Sequence, residues 1–221
     1  MSTYETLIFI PEGSLLNEKV AERNALRQTL KHFQHEFGPA ERLKYTSLQK
    51  QVKLLPQNKR IDLLLQTFLK QDLSETKAVF EHKMREQDQL IKGSPEFLDQ
   101  VKGKLNLILL AKESKGQILP RLAKSELMNY FSVQYFKDDF SKPLPNKDIF
   151  FKILDDNPTI DPDTTLVIGT NLDEEIQGAE NTNLYSLWLA PRKEKLPINP
   201  HPTLHLSKLS DYTKDASGQH L

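Results

Sequence analysis

The run Leu7-Ile8-Phe9-Ile10 is apolar without a break and stops at Pro11-Glu12-Gly13-Ser14, after which the chain turns helical. An apolar run with no polar alternation, closed by turn residues, reads as a strand buried on both faces. Such strands belong to parallel sheets covered by helices. In those sheets ligands and reacting groups gather at the carboxyl ends of the strands. Ile10 to Ser14 is therefore the first place to look for chemistry.

The rest of the chain falls into two zones. Leu26, Leu30, Phe33 and Phe37 recur at spacings of four, three and four. That is one stripe of a helix, which Gly38-Pro39 is expected to end. Pro56-Gln57-Asn58 reads as a break, and a short Leu-rich helix follows over 61–69. Asp72 with Glu75 three residues on reads as a helix cap. Consecutive helices over 17–92 suit a small bundle. Gly93-Ser94-Pro95-Glu96 marks the boundary, with Ser94 as a candidate cap and Pro95 at the first helical position. Beyond it the rhythm alternates. Strands are predicted over 105–111, 133–136, 165–169 and 185–189, with helices over 117–124, 148–154 and 174–182. This alternation predicts an α/β fold with a parallel sheet and right-handed crossovers. Residues 203–206 suit an edge strand, and the polar stretch 213–221 reads as a frayed tail.

Charge and composition exclude several functions. Lys+Arg and Asp+Glu are both 30, so the formal charge is zero, which argues against a nucleic-acid partner. There is no cysteine, hence no disulfide, thiolate metal site or cysteine nucleophile. No apolar run reaches membrane-spanning length, and none reads as a signal peptide, so a cytoplasmic location is expected. His32 and His35 stand three apart on a helix, but no third ligand joins them at a compatible spacing. His201 and His205 lie in a Pro-rich stretch and read as surface residues.

Taken with an α/β domain interrupted after its first strand by a helical insert, the turn at Ile10 resembles the first motif of the haloacid dehalogenase (HAD) superfamily. The resemblance covers nearly the whole chain and is nearest to the nucleotidase-like branch with a four-helix cap. It implies a Rossmannoid core from residues 1–16 and 93–212, a cap over 17–92, and a Mg²⁺-dependent phosphohydrolase. In that family an aspartate ends the first strand and attacks the phosphorus, because a carboxylate can form and release an acyl phosphate. A second aspartate two residues on serves as general acid and base.

The motif positions are altered here. Ile10 stands where the nucleophile belongs and has no lone pair. Glu12 stands for the second aspartate, Gly13 matches, and Ser14 replaces a threonine. At the second motif Leu110 or Ala111 stands where a hydroxyl donor belongs. The third motif, a lysine that neutralises the phosphoryl group, is matched by Lys142-Pro143. The fourth, which supplies metal ligands, reads Gly169-Thr170-Asn171-Leu172-Asp173-Glu174-Glu175. Its frame is kept, but Thr170 and Glu175 stand for the two aspartates. With Ile10 and Thr170 the two innermost charges are gone, so the Mg²⁺ that the resemblance implies is expected to be lost. Lys142 is then expected to pair with Glu12 or Glu175.

Two readings stay open. One is a HAD-like scaffold that has lost phosphatase activity and binds or regulates, with a phosphate-containing small molecule or another protein as partner. The other is an active phosphohydrolase of nucleotidase type working through a non-standard site such as Glu12 or Asp173. The sequence does not specify an oligomeric state.

Overall fold

The computed structural model describes residues 4–52, 55 and 57–216. The chain folds as two compact units: Met1–Glu18 with Gln89–Leu221, and Lys19–Asp88.

In the first unit six strands, among the described residues, form one sheet in the order β3-β2-β1-β4-β5-β6. They are β1 (Thr6–Phe9), β2 (Asn106–Leu110), β3 (Val133–Tyr135), β4 (Thr165–Gly169), β5 (Tyr185–Leu189) and β6 (Leu204–Leu206), all pairing in parallel. The period of two along a strand sends alternate side chains to opposite faces. Leu7, Phe9, Leu107, Leu109, Leu166 and Ile168 enter one core, while Ile8, Ile10, Ile108, Leu110 and Val167 enter the other. Both faces are dry, which is why these strands are written as unbroken apolar runs.

The order of strands reverses between β1 and β4: the chain adds β2 and β3 on one side of β1, then β4, β5 and β6 on the other. A crevice forms outside the carboxyl ends of the strands at such a switch point. Helices Ser94–Val101, Lys115–Lys124 and Asp148–Asp156 are connections of this sheet. Where the chain leaves β1 and where it returns, Asn17 N donates to Gln89 O (2.8 Å) and Ile91 N to Leu15 O (2.7 Å).

The second unit is built from the helices Glu18–His32, Pro39–Gln51, Gln57–Phe68 and Leu73–Arg85. Leu26, Leu30, Tyr45, Leu48, Leu64, Leu65 and Phe80 form its own core. Asp72 caps the last helix, accepting from Glu75 N at 3.0 Å.

Several expectations need correction. The first of these helices ends at His32, not at Gly38, because Gln34 takes a left-handed conformation (φ 62°) that stops the helix. Pro39 opens the next helix instead. Of the break at 56–58, Pro56 lies outside the described residues, and the helix already runs from Gln57. Gly93, not Ser94, is the residue before the helix Ser94–Val101. The stretch expected to fray from 213 is part of a helix, Leu209–Ala216, anchored by buried Leu209 and Tyr212; residues 217–221 lie outside the described residues. His205 is half-buried, stacked on Trp188 at 4.5 Å. Among the described residues no helix is long and apolar enough to cross a membrane.

Candidate functional site

The carboxyl ends of β1, β2 and β4 bring Ile10, Glu12, Lys112, Thr170 and Glu175 to one crevice of the α/β unit. Ile10 is wholly buried and packs in the apolar cluster of Ile8, Ile108, Leu110, Phe150 and Val167. After it the backbone turns sharply. Gly13 has φ 92°, and a Cβ there would lie 2.9 Å from Thr170 Oγ1, so only glycine fits without displacing Thr170. Ser14 Oγ is buried and donates to Ile10 O at 2.5 Å, so it serves its own turn.

Glu12 is buried beside the loop that follows β2. Its Oε1 accepts from Lys112 N (2.8 Å) and Glu113 N (3.0 Å), while its Oε2 is buried with no hydrogen-bond partner. Burial, with the Glu113 and Glu18 carboxylates nearby, pushes its pKa up to about 8 against the opposing pull of Lys112. Burial and Glu18 likewise push Glu113 up to about 7, with Arg121 and Lys112 opposing. Removing charge from water in this way favours the neutral acid. The Arg121 guanidinium is also buried. It bridges Glu18 Oε1 (2.6 Å) and Glu113 Oε2 (3.5 Å). A buried arginine needs such partners to offset its desolvation.

Glu175 is held on the other side. Its residue is fully buried, and its Oε2 accepts from Thr170 N (2.6 Å) and Asn171 N (3.1 Å). The loop is fixed from below, since Asn171 Oδ1 accepts from Asp173 N and Glu174 N, and Trp188 Nε1 donates to Thr170 O. Gly169 gives Glu175 its room, because a Cβ on Gly169 would lie 2.9 Å from the Glu175 Cβ. Glu175 Oε1 forms an ion pair with Lys112 Nζ at 2.5 Å, and Glu174 Oε2 lies 3.1 Å from the same ammonium. Burial pulls the Lys112 pKa down, but Glu175, Glu12 and Glu174 outweigh it, and the net shift is upward. Lys112 is thus a firmly charged cation among three carboxyl groups.

Lys142 does not do this. It is exposed and borders a separate recess of about 310 Å³ with Asp139, Asn146 and Asp148. The expected pairing of Lys142 with Glu12 or Glu175 is therefore corrected: Lys112 holds Glu175. Sequence reasoning passed over Lys112, Glu113, Arg121 and Glu18. The available signal was Lys112-Glu113 directly after the apolar strand, where a parallel sheet gathers its polar groups.

Residues 9–189 match the family described as haloacid dehalogenase-like hydrolase. Pyrimidine 5'-nucleotidase PynA of Streptococcus pneumoniae is 26% identical over 229 residues, which cover 94% of this chain and 93% of that protein. The HAD-hydrolase YfnB of Bacillus subtilis is 23% identical, covering 96% of this chain and 94% of its own. A magnesium-bound crystal structure of YfnB superimposes with a TM-score of 0.84 at 20% identity, covering 96% of this chain and 97% of that one.

Proposed function

From a chain that belongs to the haloacid dehalogenase-like hydrolase family, we propose a protein that no longer transfers phosphoryl groups and acts by binding or regulation. The observation that carries this reading is the residue at the end of β1. Ile10 is fully buried among aliphatic side chains, and no nucleophile replaces it at that position.

The donor set also speaks against a resident Mg²⁺. The ion prefers octahedral oxygen ligands, usually with one or two protein carboxylates free to reach it. Glu175 offers none freely. One of its oxygens takes two backbone N–H groups and the other pairs with the Lys112 ammonium. A cation carried by the chain itself stands where a carboxylate would have to meet a metal.

The test is hydrolysis of p-nitrophenyl phosphate and nucleoside monophosphates with Mg²⁺ present. Loss of a nucleophile from a concerted site costs on the order of 10⁶ in kcat, so no turnover is expected. Turnover that persists through repeated purification would overturn the reading.

A second reading, an active phosphohydrolase of nucleotidase type working through Glu12, is favoured by one observation. Glu12 Oε2 has no partner, and burial raises the group to about 8, so it holds its proton near neutral pH as a general acid must. Activity abolished by Glu12→Gln would select this reading.

A further inference from the structure

The helical unit has a recess of about 360 Å³ between its first two helices. Arg23 and Arg27 line it from Glu18–His32, Arg42 and Tyr45 from Pro39–Gln51, and Phe37 from the connection between them. The lining holds three cations and no carboxylate. Two neighbouring acids are occupied elsewhere. Glu22 is held by Arg60 (3.0 Å) and the Tyr45 hydroxyl (2.9 Å), and Glu41 accepts from Gly38 N (3.0 Å). Among the described residues no carboxylate forms an ion pair with Arg23, Arg27 or Arg42.

Arg23 and Arg27 are four apart on one helix face, where like charges repel. A third arginine faces the same recess from the next helix. Among the described residues no ion pair offsets this repulsion, whereas an anion would relieve it. Guanidinium groups present planar forks of donors that match phosphate and carboxylate oxygens. Three forks exceed what two carboxylate oxygens can take up, but they suit a phosphate monoester, with three oxygens and nearly two negative charges. Beside the charges stands an aromatic wall: Phe37 lies edge-on to Tyr45 at 6.3 Å and near Phe68 at 6.4 Å.

We propose that this recess binds a small phosphate monoester, its phosphate held by Arg23, Arg27 and Arg42 and its organic part resting against Phe37. The site shares no residue with the crevice of Glu12 and Glu175, and it stands whether or not that crevice is inert.

Calorimetric titration of the full chain tests it, using a nucleoside 5'-monophosphate, ribose 5-phosphate, inorganic phosphate and an uncharged nucleoside. Arg27→Gln and Arg42→Gln alter exposed side chains, so the fold should persist, which circular dichroism checks. Saturable binding of the two esters is expected, weaker at high salt, with inorganic phosphate weaker still and the nucleoside not bound. Each arginine variant should bind about tenfold less tightly, the worth of one charged hydrogen-bonding group. Lys50→Gln, in the same unit but outside the recess, should change nothing. The proposal is overturned if millimolar ester gives no saturable binding, or if the double arginine variant binds as well as the parent. It is also overturned if Lys112→Met, not the arginine changes, abolishes binding. Equal affinity for inorganic phosphate and the esters would remove the role given to Phe37.

Discussion

Lys112 Nζ lies 2.5 Å from Glu175 Oε1, and this pair joins the loop after β2 to the loop after β4. Glu175 is fully buried, while the Lys112 side chain is 24% exposed. The carboxylate therefore depends on this ammonium and on the N–H groups of Thr170 and Asn171. Breaking a buried ion pair by removing one partner strands the other charge.

The first prediction follows from that dependence. Lys112→Met should lower stability by about 3–5 kcal/mol, the usual cost of leaving one buried charge unpaired. Lys112→Met with Glu175→Gln should recover much of it, since the neutral amide keeps an oxygen for Thr170 N and Asn171 N. Urea unfolding of the three proteins measures this. Equal stability of Lys112→Met and the parent would show that the pair is not what holds Glu175.

The second prediction concerns pH. Glu12 and Glu113 are raised from the ordinary value near 4.5 to about 8 and about 7. Both therefore take up a proton on folding between those limits. The stabilisation this provides is complete below about pH 4.5 and is lost as pH rises through about 7 for Glu113 and about 8 for Glu12. Each group contributes a slope of up to about 1.4 kcal/mol per pH unit within its window. Stability should then fall between pH 6 and pH 8.5. Glu12→Gln mimics the protonated acid and keeps an acceptor for Lys112 N and Glu113 N. Its stability should fall less over that range and match or exceed the parent at pH 8.5. Parallel profiles for the two proteins in urea titrations would contradict this.

The third prediction contrasts two glycines. Gly169→Ala places a methyl group 2.9 Å from the Glu175 Cβ, so either the loop or the carboxylate must shift. Overpacking of this kind costs about 1–3 kcal/mol. Gly116 lies in the helix Lys115–Lys124, with nothing within 4 Å of an added Cβ. Gly116→Ala should instead stabilise by about 0.5–1 kcal/mol through helix propensity. Thermal denaturation of both variants separates a glycine kept for the site from one that is not.

What the sequence discloses and what it withholds differ for a physical reason. Strands buried on both faces are written as apolar runs, so β4 and β5 have the limits read from the sequence, and Ile10 is visible at the end of its strand. The helix Leu209–Ala216 was hidden because only Leu209 and Tyr212 carry its apolar face among polar neighbours. The partner of Glu175 was hidden for a different reason. Lys112 and Glu175 are distant in sequence and meet only because β2 and β4 flank β1 in the sheet. A motif-based reading looks for its lysine beside a proline and finds Lys142. The fold brings a lysine from another loop. Arg121 reads as an ordinary helix charge, and its burial between Glu18 and Glu113 becomes evident only in three dimensions.

The last prediction returns to Ile10. It is fully exposed to aliphatic neighbours and not at all to water. Ile10→Asp would bury a carboxylate there, with Glu12 already short of a partner and Lys112 already committed to Glu175 and Glu174. Burying an unpaired charge or an unsatisfied polar group destabilises by a few kcal/mol, on the order of 3. The variant should therefore melt well below the parent. It should also fail to hydrolyse p-nitrophenyl phosphate, because Thr170 still supplies no charge and Leu110 and Ala111 no hydroxyl. Mg²⁺ should not rescue its melting temperature while Lys112 holds Glu175. In Ile10→Asp combined with Lys112→Met the ammonium is gone and two carboxylates face the crevice, so Mg²⁺ should raise the melting temperature of that variant alone. Melting curves with and without Mg²⁺, together with the phosphatase assay, decide the matter. A single Ile10→Asp change that left stability intact and switched on hydrolysis would mean that the crevice needs only a nucleophile, against the account given of Lys112.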